Sequence, residues 1–312
     1  MAKPPKFTFI DLFAGIGGMR QAFESRGGRC VFSSEWDKFA QQTYEANFGD
    51  KPNGDITKIP SKDIPRHDIL LAGFPCQPFS HAGLKKGFMD TRGTLFFDVA
   101  RIISDRKPSL VLLENVKGFK SHDKGKTFAT VISVLDELGY ETYCQVLNAS
   151  DFGLPQNRER IFIVGVNRRK IGKKQFNFPK APKTLVKVGD ILEKKVDPKY
   201  VLSNKLWSGH KRRLREHRER GNGFGYSLFD SESPRTSTIS ARYYKDGSEI
   251  LIAGSGNPRK ITPREAARLQ GFPETFVIPV SDTQAYKQFG NSVAVNVISA
   301  IAREMVRLFP KS

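Results

Sequence analysis

Phe7-Thr8-Phe9-Ile10-Asp11-Leu12-Phe13-Ala14-Gly15-Ile16-Gly17-Gly18 decides the fold class. Residues 7–13 are apolar and β-prone, and glycines then crowd the run. A helix is expected over residues 19–25. Strand, glycine turn and helix in that order open an α/β domain of the nucleotide-binding kind. The glycines permit a tight turn and let backbone approach a ligand. Their spacing is Gly-x-Gly-Gly, so a plain tight turn fits as well as a ligand loop. Cys30-Val31-Phe32-Ser33-Ser34-Glu35-Trp36 reads as a second strand ending in an acid. A carboxylate about 20 positions past such glycines can accept hydrogen bonds from ribose hydroxyls. The other reading of Glu35 is the approach to a helix over residues 37–47. Gly54-Asp55-Ile56 is expected at a third strand end.

Further along, Asp68-Ile69-Leu70-Leu71-Ala72 is an apolar run leading into Gly73-Phe74-Pro75-Cys76-Gln77-Pro78-Phe79-Ser80. Cys76 therefore lies just past the carboxyl end of a strand, where open α/β sheets bind ligands. Pro75 and Pro78 restrict its backbone. A lone cysteine is commonly a buried structural residue. Here turn residues and the polar Gln77, Ser80 and His81 favour a partly exposed thiolate nucleophile. A helix is expected from Arg92 to about residue 104. Ser109-Leu110-Val111-Leu112-Leu113 is a continuous apolar strand ending in Glu114-Asn115-Val116, which brings Glu114 to the same rim as Cys76. A helix over 127–138 and strands over 140–147 and 161–166 follow. Between those strands lies Pro155-Gln156-Asn157-Arg158-Glu159-Arg160. Its alternating arginines suit either solvent or phosphates and a base.

The chain has 312 residues and a formal net charge of +19. That length suggests one large and one smaller domain. The charge points to a polyanion, nucleic acid before anionic membrane. No apolar run approaches the ~20 residues of a membrane span, and Met1-Ala2-Lys3-Pro4-Pro5-Lys6 lacks a signal-peptide core. Cys30, Cys76 and Cys144 are odd in number and far apart, as for free thiols in a reducing cytoplasm. The histidines show no zinc-ligand spacing with them, so no metal site is expected. Residues 167–220 hold roughly 18 basic and 5 acidic residues, which concentrates the charge. A basic helix is expected over 205–220 and a loop over 221–226. Strands are expected over 237–244 and 249–253, around the hairpin signal Lys245-Asp246-Gly247-Ser248. Thr262-Pro263-Arg264-Glu265 opens a capped helix. A last helix is expected over 292–308, introduced by Gln288-Phe289-Gly290-Asn291.

These pieces, in this order, resemble the DNA (cytosine-5)-methyltransferases of bacterial restriction–modification systems along nearly the whole chain. Phe13-Ala14-Gly15-Ile16-Gly17-Gly18 is similar to the family's first cofactor motif, Glu35-Trp36 to its ribose and adenine contact, and Asp55-Ile56 to its adenine-edge motif. Pro75-Cys76-Gln77 resembles the nucleophile motif, Glu114-Asn115-Val116 the acid motif, and Gln156-Asn157-Arg158-Glu159-Arg160 the Gln-x-Arg-x-Arg motif. Residues 262–273 resemble the helix before the last motif. Gln288-Phe289-Gly290-Asn291-Ser292-Val293 resembles the closing motif, which in the family returns to the large domain. The implied fold class is α/β: a Rossmann-like S-adenosylmethionine-dependent methyltransferase domain with a mixed sheet, plus a smaller basic target-recognition domain. The expected bounds are 1–175, 176–280 and, for the returning helix, 281–312.

The resemblance also implies roles. S-adenosyl-L-methionine would be held by Phe13, Ala14, Gly15, Ile16, Gly17, Gly18, Glu35, Trp36, Asp55, Ile56, Pro75, Leu95, Asn291, Ser292 and Val293. Catalysis would fall to Cys76, Glu114, Arg158 and Arg160. Carbon 5 of cytosine is a poor nucleophile until a thiolate adds at carbon 6, the role of Cys76. Glu114 would bridge to ring nitrogen 3, and Arg160 would support oxygen 2. The target cytosine must leave the duplex to reach such a pocket. Gly83-Leu84-Lys85-Lys86-Gly87 would be a closing loop, with a plain surface loop as the other reading. Ser80, Lys85, Lys86, Arg92, Arg235, Thr238, Arg242 and Lys245 would meet DNA. Residues 236–247 resemble the recognition region of Dcm-type enzymes, with Thr238-Ile239 in place of a Thr-Leu pair. That region implies methylation of the inner cytosine of CC-x-GG. Arg242, Lys245 and Arg235 are the candidate guanine donors; the alternative is that Tyr243 and Tyr244 only pack the small domain and the arginine contacts phosphate. The expected partners are double-stranded DNA and a companion restriction endonuclease acting on the same site without stable complex. A cytoplasmic monomer with no membrane association is expected.

Four other readings remain beside this one. A tRNA-methylating branch shares the motif order, but its Cys-Phe-Thr signature is absent here. The RNA cytosine methyltransferases with two catalytic cysteines place one after Thr, and no Thr-Cys pair occurs. A nicotinamide or flavin oxidoreductase fits poorly with Gly-x-Gly-Gly and Pro-Cys-Gln. A non-enzymatic DNA-binding module would need no cofactor, so S-adenosylmethionine binding separates it from the enzyme.

Overall fold

The apolar runs read from the sequence become the strands of a mixed sheet. The computed structural model describes residues 4–75, 95–182, 184–223 and 225–309. Cys76, Ser80, Lys85, Lys86 and Arg92, with the expected closing loop at 83–87, lie outside the described residues. The chain divides into two units. Unit 1 comprises Met1–Leu147, Glu159–Lys180 and Val297–Ser312, and unit 2 comprises Asn148–Arg158 and Ala181–Asn296.

In chain order, unit 1 is built from β1 (Phe7–Leu12), α1 (Gly18–Glu24), β2 (Gly28–Ser34), α2 (Lys38–Phe48), β3 (Ile69–Gly73), α3 (Leu95–Arg106), β4 (Leu110–Val116), α4 (Lys126–Glu137), β5 (Tyr140–Asn148), β6 (Glu159–Asn167) and α5 (Arg168–Ile171). The sheet order is β2-β1-β3-β4-β6-β5. The β1–β2, β1–β3 and β3–β4 pairs are parallel, and β6 runs antiparallel to β4. Parallel neighbours need crossover connections, and the intervening helices supply them. Helices on a sheet's faces leave its central strands almost wholly apolar. Ile10, Leu12, Leu70, Val111 and Leu113 accordingly pack with Phe96, Ile103, Val131 and Leu135 in one core. Truncating Leu113 to Ala would cost about 2–5 kcal/mol.

Local sequence sets the element ends. α1 starts after Gly17, whose φ is 82°. A Cβ there would lie 2.1 Å from the Phe48 ring, so only glycine fits. Asp37 caps α2, its carboxylate accepting from the backbone N–H groups of Phe39 and Ala40 at 2.9 Å each. The expected third strand at residues 54–56 does not form. Asn53 makes only an isolated bridge to Ser34, and Asp55 instead caps a short 3-10 turn, Ile56–Lys58.

Unit 2 contains α6 (Asn204–Glu219), β7 (Leu228–Phe229), β8 (Leu251–Ile252), β9 (Arg259–Lys260), α7 (Pro263–Leu269) and α8 (Asp282–Asn291). The final helix, α9 (Val295–Val306), follows, and residues from Val297 onward belong to unit 1. β8 pairs parallel with β7 and antiparallel with β9. α7 has the capping box its sequence announces: Glu265 N–H donates to Thr262 Oγ1 at 3.1 Å, and Thr262 N–H donates to Glu265 Oε2 at 2.9 Å. The hairpin expected across residues 237–253 is absent. Residues 241–246 turn, with Lys245 N–H bonded to Arg242 O and Gly247 N–H to Tyr243 O. Only Leu251 and Ile252 of the second expected strand pair with neighbours. The final helix also starts later than residue 292, because Ser292 is extended at ψ 163° and closes the separate helix α8. Among the described residues no helix is long and apolar enough to cross a membrane.

Candidate active site and target-reading surface

The carboxyl ends of β1, β2, β3 and β4 gather most of the expected unit 1 site residues. β1 exits through Phe13 and Gly15, with φ of 55° and 56°. A positive φ is uncommon for a phenylalanine. Nothing lies within 4 Å of where a Gly15 Cβ would stand. The backbone N–H of Gly15 donates to Glu35 Oε2 at 2.9 Å, and Asp37 N–H donates to Glu35 Oε1 at 2.8 Å. Each oxygen keeps acceptor capacity. Burial raises the Glu35 pKa, and these two N–H groups oppose the rise. Beside it the Trp36 ring is 79% exposed. Ala14, Ile16, Gly17 and Gly18 are buried in the turn. Ile56 is buried in the core, whereas Asp55 spends its carboxylate on Thr57, whose N–H and hydroxyl lower its pKa. An open glycine turn, a buried carboxylate and an exposed aromatic face form a site suited to a ribose diol and a flat base.

The β3 and β4 tips are tied together. Asn115 Nδ2 donates to the Phe74 carbonyl at 2.9 Å, and the Phe74 ring packs on Phe96 and Phe119. This fixes the chain up to Pro75, the last described residue before Cys76. Glu114 pairs with Gly73 on β3 and with Phe162 on β6. Its Oε1 lies 3.2 Å from Nε of Arg160, in an ion pair whose side chains are 12% and 17% exposed. Burial lowers the Arg160 pKa, and the Glu114 charge works against that. Arg160 Nη1 also donates to the Glu159 carbonyl at 2.8 Å. Leu95, half-buried, opens α3.

Arg158 is placed otherwise. It belongs to unit 2 and is buried, donating to the carbonyls of Ile239, Gly290 and Ser292. Asn291 is exposed, while Val293 is buried. Of the expected DNA-facing residues, Arg235, Arg242 and Lys245 are exposed. Thr238 is half-buried, and its hydroxyl donates to the Asn157 carbonyl. Tyr243 is fully buried; its hydroxyl donates to Ile250 O at 2.7 Å and accepts from Ile261 N–H at 2.9 Å. Tyr243 therefore packs within unit 2. Sequence reasoning assigned nothing to Asn115, Gln156 or Gly290, whose importance is carried by main-chain geometry. The one available signal was their position inside motifs.

Comparison with known proteins agrees with this architecture. Residues 7–307 match the family of C-5 cytosine-specific DNA methylases. The type II methyltransferase M.SsoII of Shigella sonnei is 64% identical over 304 residues, covering 96% of this chain and 80% of that protein. The DNA-cytosine methyltransferase of Escherichia coli K12 is 45% identical, covering 97% of this chain and 79% of that one. Among solved structures, the Entamoeba histolytica methyltransferase EhMeth shares the fold with a TM-score of 0.78 at 20% identity, covering 97% of this chain and 98% of that one. The chain belongs to the C-5 cytosine-specific DNA methylase family and is an S-adenosylmethionine-dependent DNA (cytosine-5-)-methyltransferase.

Proposed function

We propose that the protein methylates carbon 5 of a cytosine flipped out of a short double-stranded DNA site, through a covalent bond between Cys76 and carbon 6. The observation that carries this reading is the half-buried Glu114–Arg160 ion pair, 3.2 Å across, beside the strand exit that leads into Cys76. The Cys76 thiolate adds to carbon 6 and makes the ring an enamine, nucleophilic at carbon 5. Glu114 bridges to nitrogen 3 and Arg160 to oxygen 2, where addition delivers negative charge. A low-dielectric setting strengthens both contacts. S-adenosylmethionine, when bound, supplies an electrophilic methyl group on its sulfonium. Glu35 would accept from the ribose hydroxyls, Trp36 would lie against the adenine, and the Gly15 turn would leave room for the ligand, with Asp55, Ile56, Pro75 and Leu95 around it. Loss of the carbon-5 proton then lets the carbon 6–sulfur bond break and frees the thiolate.

The residues of unit 2 fit the second task, reading sequence. Arg235, Arg242 and Lys245 are exposed on it, and guanine offers two major-groove acceptors to such side chains. The site we propose is CC-x-GG, methylated at the inner cytosine, by a monomer acting in the cytoplasm. Similarity to enzymes named type II methyltransferases supports a companion endonuclease that cuts the same unmethylated site. Identity to named DNA-cytosine methyltransferases favours DNA over RNA.

The test is a duplex carrying 5-fluorocytosine at the target. Wild-type protein with S-adenosylmethionine should stall as a covalent adduct, because fluorine cannot leave as a proton does. Cys76→Ser should bind the duplex and form no adduct. An adduct in the Cys76→Ser protein would remove the assignment of the nucleophile.

A further inference from the structure

Arg158 lies in the Gln-x-Arg-x-Arg segment two residues before Arg160, yet it makes a different set of bonds. It is 2% exposed. Nη1 donates to the Ile239 carbonyl at 3.2 Å, and Nη2 donates to the Gly290 carbonyl at 3.1 Å and to that of Ser292. Ile239 is gripped from its other side, because its N–H donates to Gln156 Oε1 at 3.1 Å. Gln156 is fully buried and its Nε2 donates to the Leu269 carbonyl at 3.0 Å. Upstream, Thr236 N–H bonds to Pro155 O at 2.8 Å and Asn157 N–H to Thr236 O at 2.9 Å. The segment around Ile239 is thus laced to residues 155–158 by main-chain and side-chain bonds together.

Gly290 closes the arrangement from the side of α8. A Cβ at that position would lie 2.3 Å from the carbonyl carbon and oxygen of Ser240 and 2.4 Å from the nitrogen of Ala241. Those atoms are backbone, so a side chain there would push the segment away. One buried guanidinium therefore fixes two things at once: the segment that continues into exposed Arg242 and Lys245, and the α8 end at Gly290–Ser292. A planar guanidinium fork can bond several carbonyls in a set geometry, whereas an ammonium is a compact point donor.

We propose that Arg158 is a positioning residue for target discrimination. It acts through the main chains of Ile239, Gly290 and Ser292 to hold the Arg242-bearing segment, and it does not touch the reacting base. This rests on the reading of unit 2 as the part that reads the DNA sequence.

The experiment compares Arg158→Lys, Gly290→Ala and Arg160→Lys in the full-length protein. It measures the single-turnover rate at saturating duplex and kcat/KM over duplexes differing by one base pair. Arg158→Lys should lower kcat/KM on the preferred site by tenfold or more and shrink its advantage over one-mismatch sites by a similar factor, since a displacement of about 1 Å can cost ~100-fold. Its single-turnover rate should stay within about threefold of wild type. Gly290→Ala should shrink the same ratio from the opposite side, and it decides alone if Arg158→Lys does not fold. Arg160→Lys should do the reverse, slowing the single turnover while keeping the ratio. A slowed single turnover in Arg158→Lys with the ratio intact overturns the proposal. So does an equal loss on every duplex together with a lower Tm, the mark of a purely structural arginine. Wild-type methylation without sequence preference would instead remove the reading of unit 2.

Discussion

His67 shows what burial does to a single ionisable side chain in unit 1. It is 5% exposed, and its ring Nδ1 lies 2.8 Å from the Pro65 carbonyl, to which it donates. Burial first, and then the charges of Arg106 and Lys170, push its pKa down to about 4. The unfolded chain would protonate this ring near the usual histidine value of about 6.5. A lowered folded pKa means the contribution is intact above pH ~6.5 and is lost as pH falls toward 4. Integrated over that window it amounts to about 3 kcal/mol. Replacing His67 with Gln, which cannot titrate, should remove that share of the acid sensitivity. Urea unfolding of both proteins at pH 7 and pH 5 checks this: the stability gap between the two pH values should be about 2 kcal/mol smaller in His67→Gln. Equal gaps would mean that His67 is charged in the folded protein. The two described cysteines answer to burial in the same direction, with thiol pKa values pushed up to about 12 for Cys30 and about 11 for Cys144. Neither is an activated thiolate at neutral pH, which leaves the nucleophile's role to Cys76 in the proposed mechanism.

At the scale of elements, α6 carries the largest net positive charge of the described helices. Ser203 caps it through Leu206 N–H at 3.2 Å. Arg212 faces Glu216 at 3.6 Å and Arg215 faces Glu219 at 4.0 Å, both on exposed surface. Exposed pairs of this spacing are worth only about 0.3–0.5 kcal/mol each. Arg213 differs: it reaches Asp246 at 3.1 Å and donates to His210 Nδ1 at 3.0 Å, so its loss would disturb the fold. Arg212→Ala with Arg215→Ala is therefore the cleaner probe of DNA binding. If both touch phosphates, the slope of log affinity against log salt should fall by about 2, with Tm nearly unchanged. An unchanged slope would leave these arginines as a solvated face. α6 was legible in the sequence because its signals are local: a serine cap, helix formers and a charge run. So were β3 and β4, whose apolar runs end where turn and polar residues begin. The absence of the expected hairpin was not legible. Ile239 satisfies its N–H and C=O with side chains 83 and 81 positions away, and no local pattern announces that. The 10-residue α8 was missed because Ser292, a single extended residue, separates it from α9.

For the whole molecule, the question is which sequence the enzyme reads. The chain enters unit 2 twice, at Asn148–Arg158 and at Ala181–Asn296. Its motifs at 155–158, 236–239, 269–271 and 288–292 meet there through bonds between side chains and main-chain atoms. What this scaffold presents to solvent is Arg235, Arg242 and Lys245. Net charge of +19 supplies affinity for any duplex but carries no sequence information. Specificity must come from few side chains reaching base edges, and a bidentate arginine–guanine pair is worth about 1–3 kcal/mol at one position. Arg242 is a donor with a fixed backbone: its N–H donates to Ser240 Oγ at 3.1 Å, and Ser240 is bonded in turn to Glu249. Arg242→Ala should therefore relax discrimination at a single guanine and leave other positions as they were. Methylation of a randomised site library by wild type and variant, read by bisulfite sequencing, measures this directly. Uniform weakening over all sites would assign Arg242 to the phosphate backbone. Wild-type methylation outside CC-x-GG would remove the proposed target while leaving the proposed chemistry of Cys76, Glu114 and Arg160 untouched, because the proposed catalytic side chains and the proposed guanine donors are different residues.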